Sequence, residues 1–264
     1  MITIDLTQRL LHRDALILIL DKPAGLPVHA GPKGGINLTA MLEQLRFGLP
    51  KLPELAHRLD KDTSGCLVLG RHARPLRTLG ELFARGGVEK IYWAVVEGGP
   101  SEDSGLIDMP IARRSPERGW WMKPAEDGLP AQTEFRVLGR AAGLTWLELK
   151  PRTGRTHQLR LHCAASGYPI VGDEIYGSAP RNTGPVLHLH ARAVTVPILP
   201  KKPPVIAQAA PPDHMHERLA SLGYDGPISP TPVDLVRAVE VGAPVVRRGI
   251  KTRHDPPLPG RERG

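Results

Sequence analysis

Short apolar runs of two different periods alternate along this chain without settling into a repeating unit, and that irregularity restricts its fold more than any other feature. Leu16-Ile17-Leu18-Ile19-Leu20 is a continuous apolar run of strand length, broken at Lys22-Pro23-Ala24-Gly25, and Cys66–Leu69 is a second such run. Further strands are predicted at Ile91–Val96, Ala131–Leu138 and Leu144–Leu149; in the middle one Thr133, Phe135 and Val137 alternate with Gln132, Glu134 and Arg136. Helical spacing appears instead at Leu38, Met41, Leu42 and Leu45 behind Asn37 as N-cap, and at Leu76, Leu79, Leu82 and Phe83 before Gly86-Gly87. A third helix is predicted from Thr156 to Ser166, ended by Gly167. Strands and helices mixed in this order, with no regular strand–helix–strand repeat, imply an α+β fold. Neither a GxGxxG nor a GxxxxGK[ST] loop is present, so nucleotide-binding folds lose their main support.

Composition narrows the partners. The 264 residues carry 35 Lys and Arg against 27 Asp and Glu, a formal net charge of +8. Such a balance fits either a polyanionic partner, nucleic acid being the commonest, or a basic tail on an ordinary enzyme. Cys66 and Cys163 form no CxxC pair, so reduced thiols and a cytoplasmic setting are expected. The first apolar run is too short for a signal-peptide core or a membrane span. Beyond about Asp225 the character changes: prolines punctuate the segment and Arg247 to Gly264 is basic. The expected organisation is a catalytic domain over 1–225 and a proline-rich extension over 226–264. That extension is expected to hold one short helix from Thr231-Pro232 to Val241 before a disordered end.

Two clusters carry chemistry. His57-Arg58-Leu59-Asp60-Lys61-Asp62-Thr63-Ser64-Gly65 places two carboxylates among three basic residues just before a buried strand. It is either a solvated turn with incidental ion pairs or a site where those charges are used. Pro151-Arg152-Thr153-Gly154-Arg155-Thr156-His157-Gln158-Leu159-Arg160-Leu161-His162 puts basic groups at the mouth of a helix, where backbone amides also favour anions. Neither has metal-ligand spacing, a Ser-His-Asp elbow or a phosphate loop. His188 and His190 share a strand face without a third ligand, and they read as structural, as do His214 and His216. Trp120-Trp121-Met122 fits either a stack on RNA or a surface loop packing on the sheet, and Asp62 reads as a loop anion.

The segment His57–Gly65 resembles the HRLDxxTSG signature of the RluA-type pseudouridine synthases. The family's other motifs follow in order: Leu20-Asp21-Lys22-Pro23-Ala24-Gly25, Lys90-Ile91-Tyr92-Trp93-Ala94, Arg152-Thr153-Gly154-Arg155-Thr156-His157-Gln158-Leu159-Arg160, Gly172-Asp173, and Leu187-His188-Leu189-His190-Ala191. The resemblance implies a pseudouridine synthase fold: a central mixed, largely antiparallel sheet with flanking helices and a cleft across it. It implies Asp60 as the catalytic aspartate, Tyr92 as the tyrosine that packs on the target base and assists proton removal, and Arg160, in preference to Arg155, as the aspartate's basic partner. Arg58 matches the arginine that helps extrude the base. Arg155, His157, Gln158 and Leu189 become candidate substrate contacts, with uracil read by backbone near Leu187–Leu189.

Isomerising uridine neither oxidises nor hydrolyses anything, so no cofactor and no metal are expected. The expected partner is RNA, a ribosomal (23S) or transfer RNA stem-loop, with no DNA, no membrane, and a monomeric chain. About ten residues precede the first strand, so the RNA-binding domain that many relatives carry there is expected to be absent. The alternative is a non-catalytic RNA-binding or ribosome-assembly factor on the same fold, which would tolerate loss of the Asp60 carboxylate.

Overall fold

A computed structural model describes residues 4–31, 34–114 and 121–229. In chain order the strands are β1 (Leu10–Arg13), β2 (Ile17–Lys22), β3 (Glu54–Leu55), β4 (Ser64–Gly70), β5 (Glu89–Glu97), β6 (Ser104–Asp108), β7 (Ile111–Arg113), β8 (Met122–Pro124), β9 (Gln132–Ala141), β10 (Leu144–Pro151), β11 (Leu189–Val196) and β12 (Val205–Gln208). The helices are α1 (Ala73–Ala84), α2 (Gln158–Ala165) and α3 (Asp213–Ser221), with 3-10 segments at Leu6–Arg9 and Thr39–Leu45. Among the described residues, ten strands form one sheet in the order β1-β2-β4-β11-β5-β10-β9-β6, with β12 on β11 and β3 on β4; β7 and β8 form a separate ribbon. Among the described strands every pairing is antiparallel except β4 with β11, where Ser64 faces His190 and Gly65 faces Ala191. The α+β class and the mixed, largely antiparallel sheet expected from the sequence are therefore what the chain adopts. No helix among the described residues is long and apolar enough to cross a membrane.

The parallel seam sets up the functional end of the molecule. β2 and β4 are buried along their whole length, as their unbroken apolar runs require. Gly65 has φ +101°, and a Cβ there would run into the Ala191 carbonyl, so only glycine lets the two strands close at this point. One face of the sheet packs Ala94, Val96, Leu147 and Leu149 against Leu159 and Cys163 of α2. The opposite face packs Val95 and Trp146 against Met215 and Leu219 of α3. There Trp93, Trp146 and Tyr224 meet edge to face, with centroids 4.7–5.7 Å apart.

Local departures from the sequence expectations have physical causes. The apolar stripe behind Asn37 forms a 3-10 segment, not an α-helix; its buried Leu42 and Leu45 lie three residues apart, the spacing that this tighter helix aligns. The N-cap is Leu38, one residue later than expected, although Asn37 Oδ1 still accepts from the Ala40 amide at 3.1 Å. α1 ends as expected, with the Gly87 amide bonded to the Leu82 carbonyl at 2.8 Å and Gly86 at φ +71°. α2 starts at Gln158 because His157 takes a left-handed conformation, φ +53°, which stops the helix from reaching back to Thr156. Met122 opens β8 and packs with Ile111, Ala131 and Leu161. Trp121 lies beside Arg181, 5.3 Å from ring centroid to guanidinium; Trp120 lies outside the described residues. So does the helix expected at 231–241. The first residues of the expected extension are bonded to the body: Ser229 exchanges backbone hydrogen bonds with Pro211 and Asp213.

Candidate active site

The loop that precedes β4 is held from beneath. Lys22, at the buried end of β2, is fully enclosed and donates to the carbonyls of Pro23, Leu26 and Lys61, each at 2.9 Å. Burial pushes its pKa down to about 7, against the pull of Asp62, Asp60 and Asp21. Three carbonyl acceptors match the three donors of an ammonium, so the lysine acts as a peg under the Asp60 loop. Inside the loop the Thr63 amide turns back to the Asp60 carbonyl at 3.3 Å.

Above that peg the Asp60 carboxylate accepts from Arg160 Nη1 at 3.3 Å. The same guanidinium is clamped from behind by Asp173, Nε to Oδ2 and Nη2 to Oδ1, both at 2.8 Å. Burial alone would raise the Asp173 carboxyl, but its Arg160 bonds and the Ile175 and Tyr176 amides outweigh it and hold the pKa below the ordinary value. Burial likewise opposes the Arg160 charge, and Asp173 followed by Asp60 more than reverses it. Asp173 is 1 % exposed at its side chain and Asp60 20 %, so the inner carboxylate is sealed and the outer one faces the cleft. Gly172 makes the turn possible: it has φ +81°, and a Cβ would meet the Pro185 and Val186 carbonyl oxygens at 2.5 Å.

His157 also approaches Asp60, its Nε2 lying 3.6 Å from the same Oδ2 that Arg160 reaches. Its Nδ1 lies 2.9 Å from the Tyr176 hydroxyl, which accepts the Met122 amide at 3.0 Å. Burial pushes the His157 pKa down although Asp60 pulls it up, so the ring is neutral near pH 7. Tyr92 leaves β5 into the same cleft. Burial, then the Asp60 charge, drive its phenol pKa upward, which keeps the ring neutral.

The cleft encloses about 290 Å³ and is walled by Asp60, Tyr92, Arg160, His157, Lys90 and Leu189, among others. All eight candidate residues read from the sequence border it, yet they divide in what they present. Arg160, not Arg155, is the arginine on Asp60. Arg58 and Arg155 are exposed at the mouth, Arg155 bonded through Nε to the Pro130 carbonyl at 3.1 Å. Gln158 is 3 % exposed and its amide is engaged by protein: Oε1 accepts from Thr153 and the Arg155 amide, and Nε2 donates to Gln132 and Thr133. Near Leu189 the backbone expected to read uracil is largely engaged too. The His188 amide and carbonyl bond to Val171 and Val95, and the Leu187 carbonyl accepts from His214. Leu189 presents an apolar side chain. Sequence reasoning missed the roles of Lys22 and Asp173, although both stood in recognisable motifs, and missed Tyr176, for which no local signal exists.

Comparison with known proteins follows the same lines. Residues 16–165 match the family model described as RNA pseudouridylate synthase. An RNA pseudouridine synthase of Zymomonas mobilis, itself named as uncharacterized, is 43% identical over 200 residues, spanning 75% of this chain and 91% of that protein. The chain belongs to the RNA pseudouridylate synthase family. It is therefore an isomerase acting on RNA. This pseudouridine synthase is also 36% identical to the ribosomal large subunit pseudouridine synthase C of Haemophilus ducreyi, over 66% of this chain and 54% of that one. Among solved structures it is similar to human RNA pseudouridylate synthase domain containing 4, with a TM-score of 0.71 and 28% identity, over 84% of this chain and 95% of the other.

Proposed function

We propose that this pseudouridine synthase isomerises a uridine in a stem-loop of ribosomal or transfer RNA, with the Asp60 carboxylate acting at the ribose. The observation that carries this reading is the clamp Asp60–Arg160–Asp173, which aims one outward carboxylate into a cleft walled by a neutral tyrosine. A uridine inside a stem is out of reach, so it must swing out, at a cost of a few kcal/mol that is least in a loop. Stacking on the Tyr92 ring offsets roughly 1–3 kcal/mol of that cost. Asp60 then attacks C1′ while the N1–C1′ bond breaks and its electron pair stays on the uracil. The freed ring turns, C5 displaces the carboxylate at C1′, the C5 proton leaves and N1 takes one up. Atoms and redox state are conserved, so the chemistry calls for no oxidant, no water and no metal.

The neutral Tyr92 phenol serves as a stacking face, not as a standing base. Arg58 and Arg155 at the mouth meet the backbone of the entering strand. The test is a comparison of pseudouridine maps of total RNA from the host with and without the gene. One or a few positions should lose the modification, and purified protein should restore them in the matching synthetic stem-loop without added metal or nucleotide. Unchanged maps together with an inert purified protein would dismiss the reading.

A further inference from the structure

Lys90 stands two residues before Tyr92 on β5, so both side chains leave the same face of the sheet, and both line the cleft. Other basic groups along these strands have partners: Lys150 pairs with Glu89, Arg152 with Glu134 and Arg136 with Glu148. Lys90 has no hydrogen bond or ion pair among the described residues. Burial lowers its pKa and no nearby carboxylate answers it. Its neighbour His57 is neutral, pushed down to about 3 by burial and by Lys90 itself, with its ring stacked on Phe83 at 4.6 Å. The ammonium lies over the Thr153-Gly154-Arg155 turn, where a Cβ on Gly154 would have Lys90 Nζ, at 3.8 Å, as its single contact within 4 Å. The half-buried cation therefore sits directly against that turn, at the wall of the cleft. A partly desolvated ammonium without a counter-ion is unfavourable until an anion completes it.

The anion that enters this cleft with a flipped uridine is a phosphodiester. We infer that Lys90 binds a phosphodiester oxygen of the RNA strand at the flipped nucleotide, fixing the backbone over the 153–155 turn while Tyr92 holds the base. This rests on the reading of the cleft as the uridine site, and it assigns to Lys90 a positioning role apart from the Asp60 chemistry.

Two measurements on the full chain test it. Binding to oligouridylate is followed against KCl for wild type, Lys90→Met and Lys90→Arg, with melting curves to show that each variant folds. Loss of one single-strand phosphate contact should flatten the slope of log K against log salt by about 0.7 in Lys90→Met, with the slope retained in Lys90→Arg. A packing role would weaken binding without moving the slope. On the mapped stem-loop, neutral methylphosphonates then replace the phosphates 5′ and 3′ of the target uridine one at a time. One replacement should weaken wild-type binding and leave Lys90→Met unaffected. Equal losses in both proteins, or an unchanged salt slope in Lys90→Met, would overturn the assignment. If wild type converts uridine and only these outcomes fail, the uridine site stands and Lys90 alone is misassigned. If no RNA is converted, the site reading falls and the salt slope still decides Lys90.

Discussion

Replacing Asp173 by Asn keeps the shape of the inner carboxylate and removes its charge. The guanidinium of Arg160 then loses one of its two 2.8 Å bonds, because an amide NH2 must face an arginine N–H. The site is closed to solvent, Asp173 at 1 % and Arg160 at 8 % side-chain exposure, so water cannot take over. Breaking one partner of a buried pair costs about 3–5 kcal/mol. For a chain of this size the melting temperature should fall by roughly 6–15 °C, at about 2–4 °C per kcal/mol near the low end of that range. Catalysis should suffer separately, because the clamp fixes the plane from which Nη1 reaches Asp60. A charge-assisted hydrogen bond of about 1.5–3 kcal/mol, at tenfold per 1.36 kcal/mol, gives a rate roughly 10- to 100-fold lower. Asp173 touches no substrate, so the loss should appear in kcat with KM nearly unchanged. Thermal melts and single-turnover conversion of the mapped stem-loop check both numbers. A variant that melts within about 2 °C of wild type and turns over at the same rate would refute the clamp.

Lys22→Met should leave the Pro23, Leu26 and Lys61 carbonyls without donors, at about 1 kcal/mol or more each. It should loosen the Asp60 loop, lowering kcat and speeding amide exchange at Lys61–Thr63, whereas unchanged exchange would show that the peg is dispensable. Acid should unfold the protein through His57, His188 and His190, whose pKa values burial pushes from 6.5 to about 3. In each the unfolded chain binds the proton more readily, so the stability is fully present above pH 6.5 and is lost as pH falls towards 3. The neutral rings are built in: His57 Nε2 accepts the Val68 amide at 3.0 Å, and His188 Nε2 lies 3.2 Å from Arg218 Nη1. Each group removes about 1.4 kcal/mol per pH unit in that window, against a total of roughly 5–15 kcal/mol. Circular dichroism should place the unfolding midpoint above about pH 4; a native signal retained to pH 3 would contradict it.

Much of this molecule was legible wherever burial imposes a period. The unbroken apolar runs at β2 and β4 announced strands buried on both faces, and the Leu76–Phe83 stripe announced α1. Elements whose pattern is diluted were not legible. β1 and β6 are largely half-exposed or exposed, and α3 buries only Met215 and Leu219 among polar neighbours. The start of α2 was misplaced because the left-handed His157 answers to Tyr176 and Asp60, contacts far away in sequence. Within the site, Asp60, Tyr92 and Arg160 were nameable from motifs. What Asp173 does was not, since a carboxylate thirteen residues beyond Arg160 becomes its clamp only after α2 and the Gly172 turn fold back together. Gln158 shows the converse: it was nameable as a substrate contact, yet folding directs its amide inward to tie the 153–155 turn to β9.

The carboxylate itself is tested by Asp60→Ala. Purified variant and wild type are given the mapped stem-loop under single-turnover conditions, with pseudouridine read directly from the RNA and affinity measured on the same molecule. The variant should form no detectable product while holding RNA within about tenfold of wild type, roughly 1.4 kcal/mol. Conversion at the wild-type rate without that side chain would contradict the whole account.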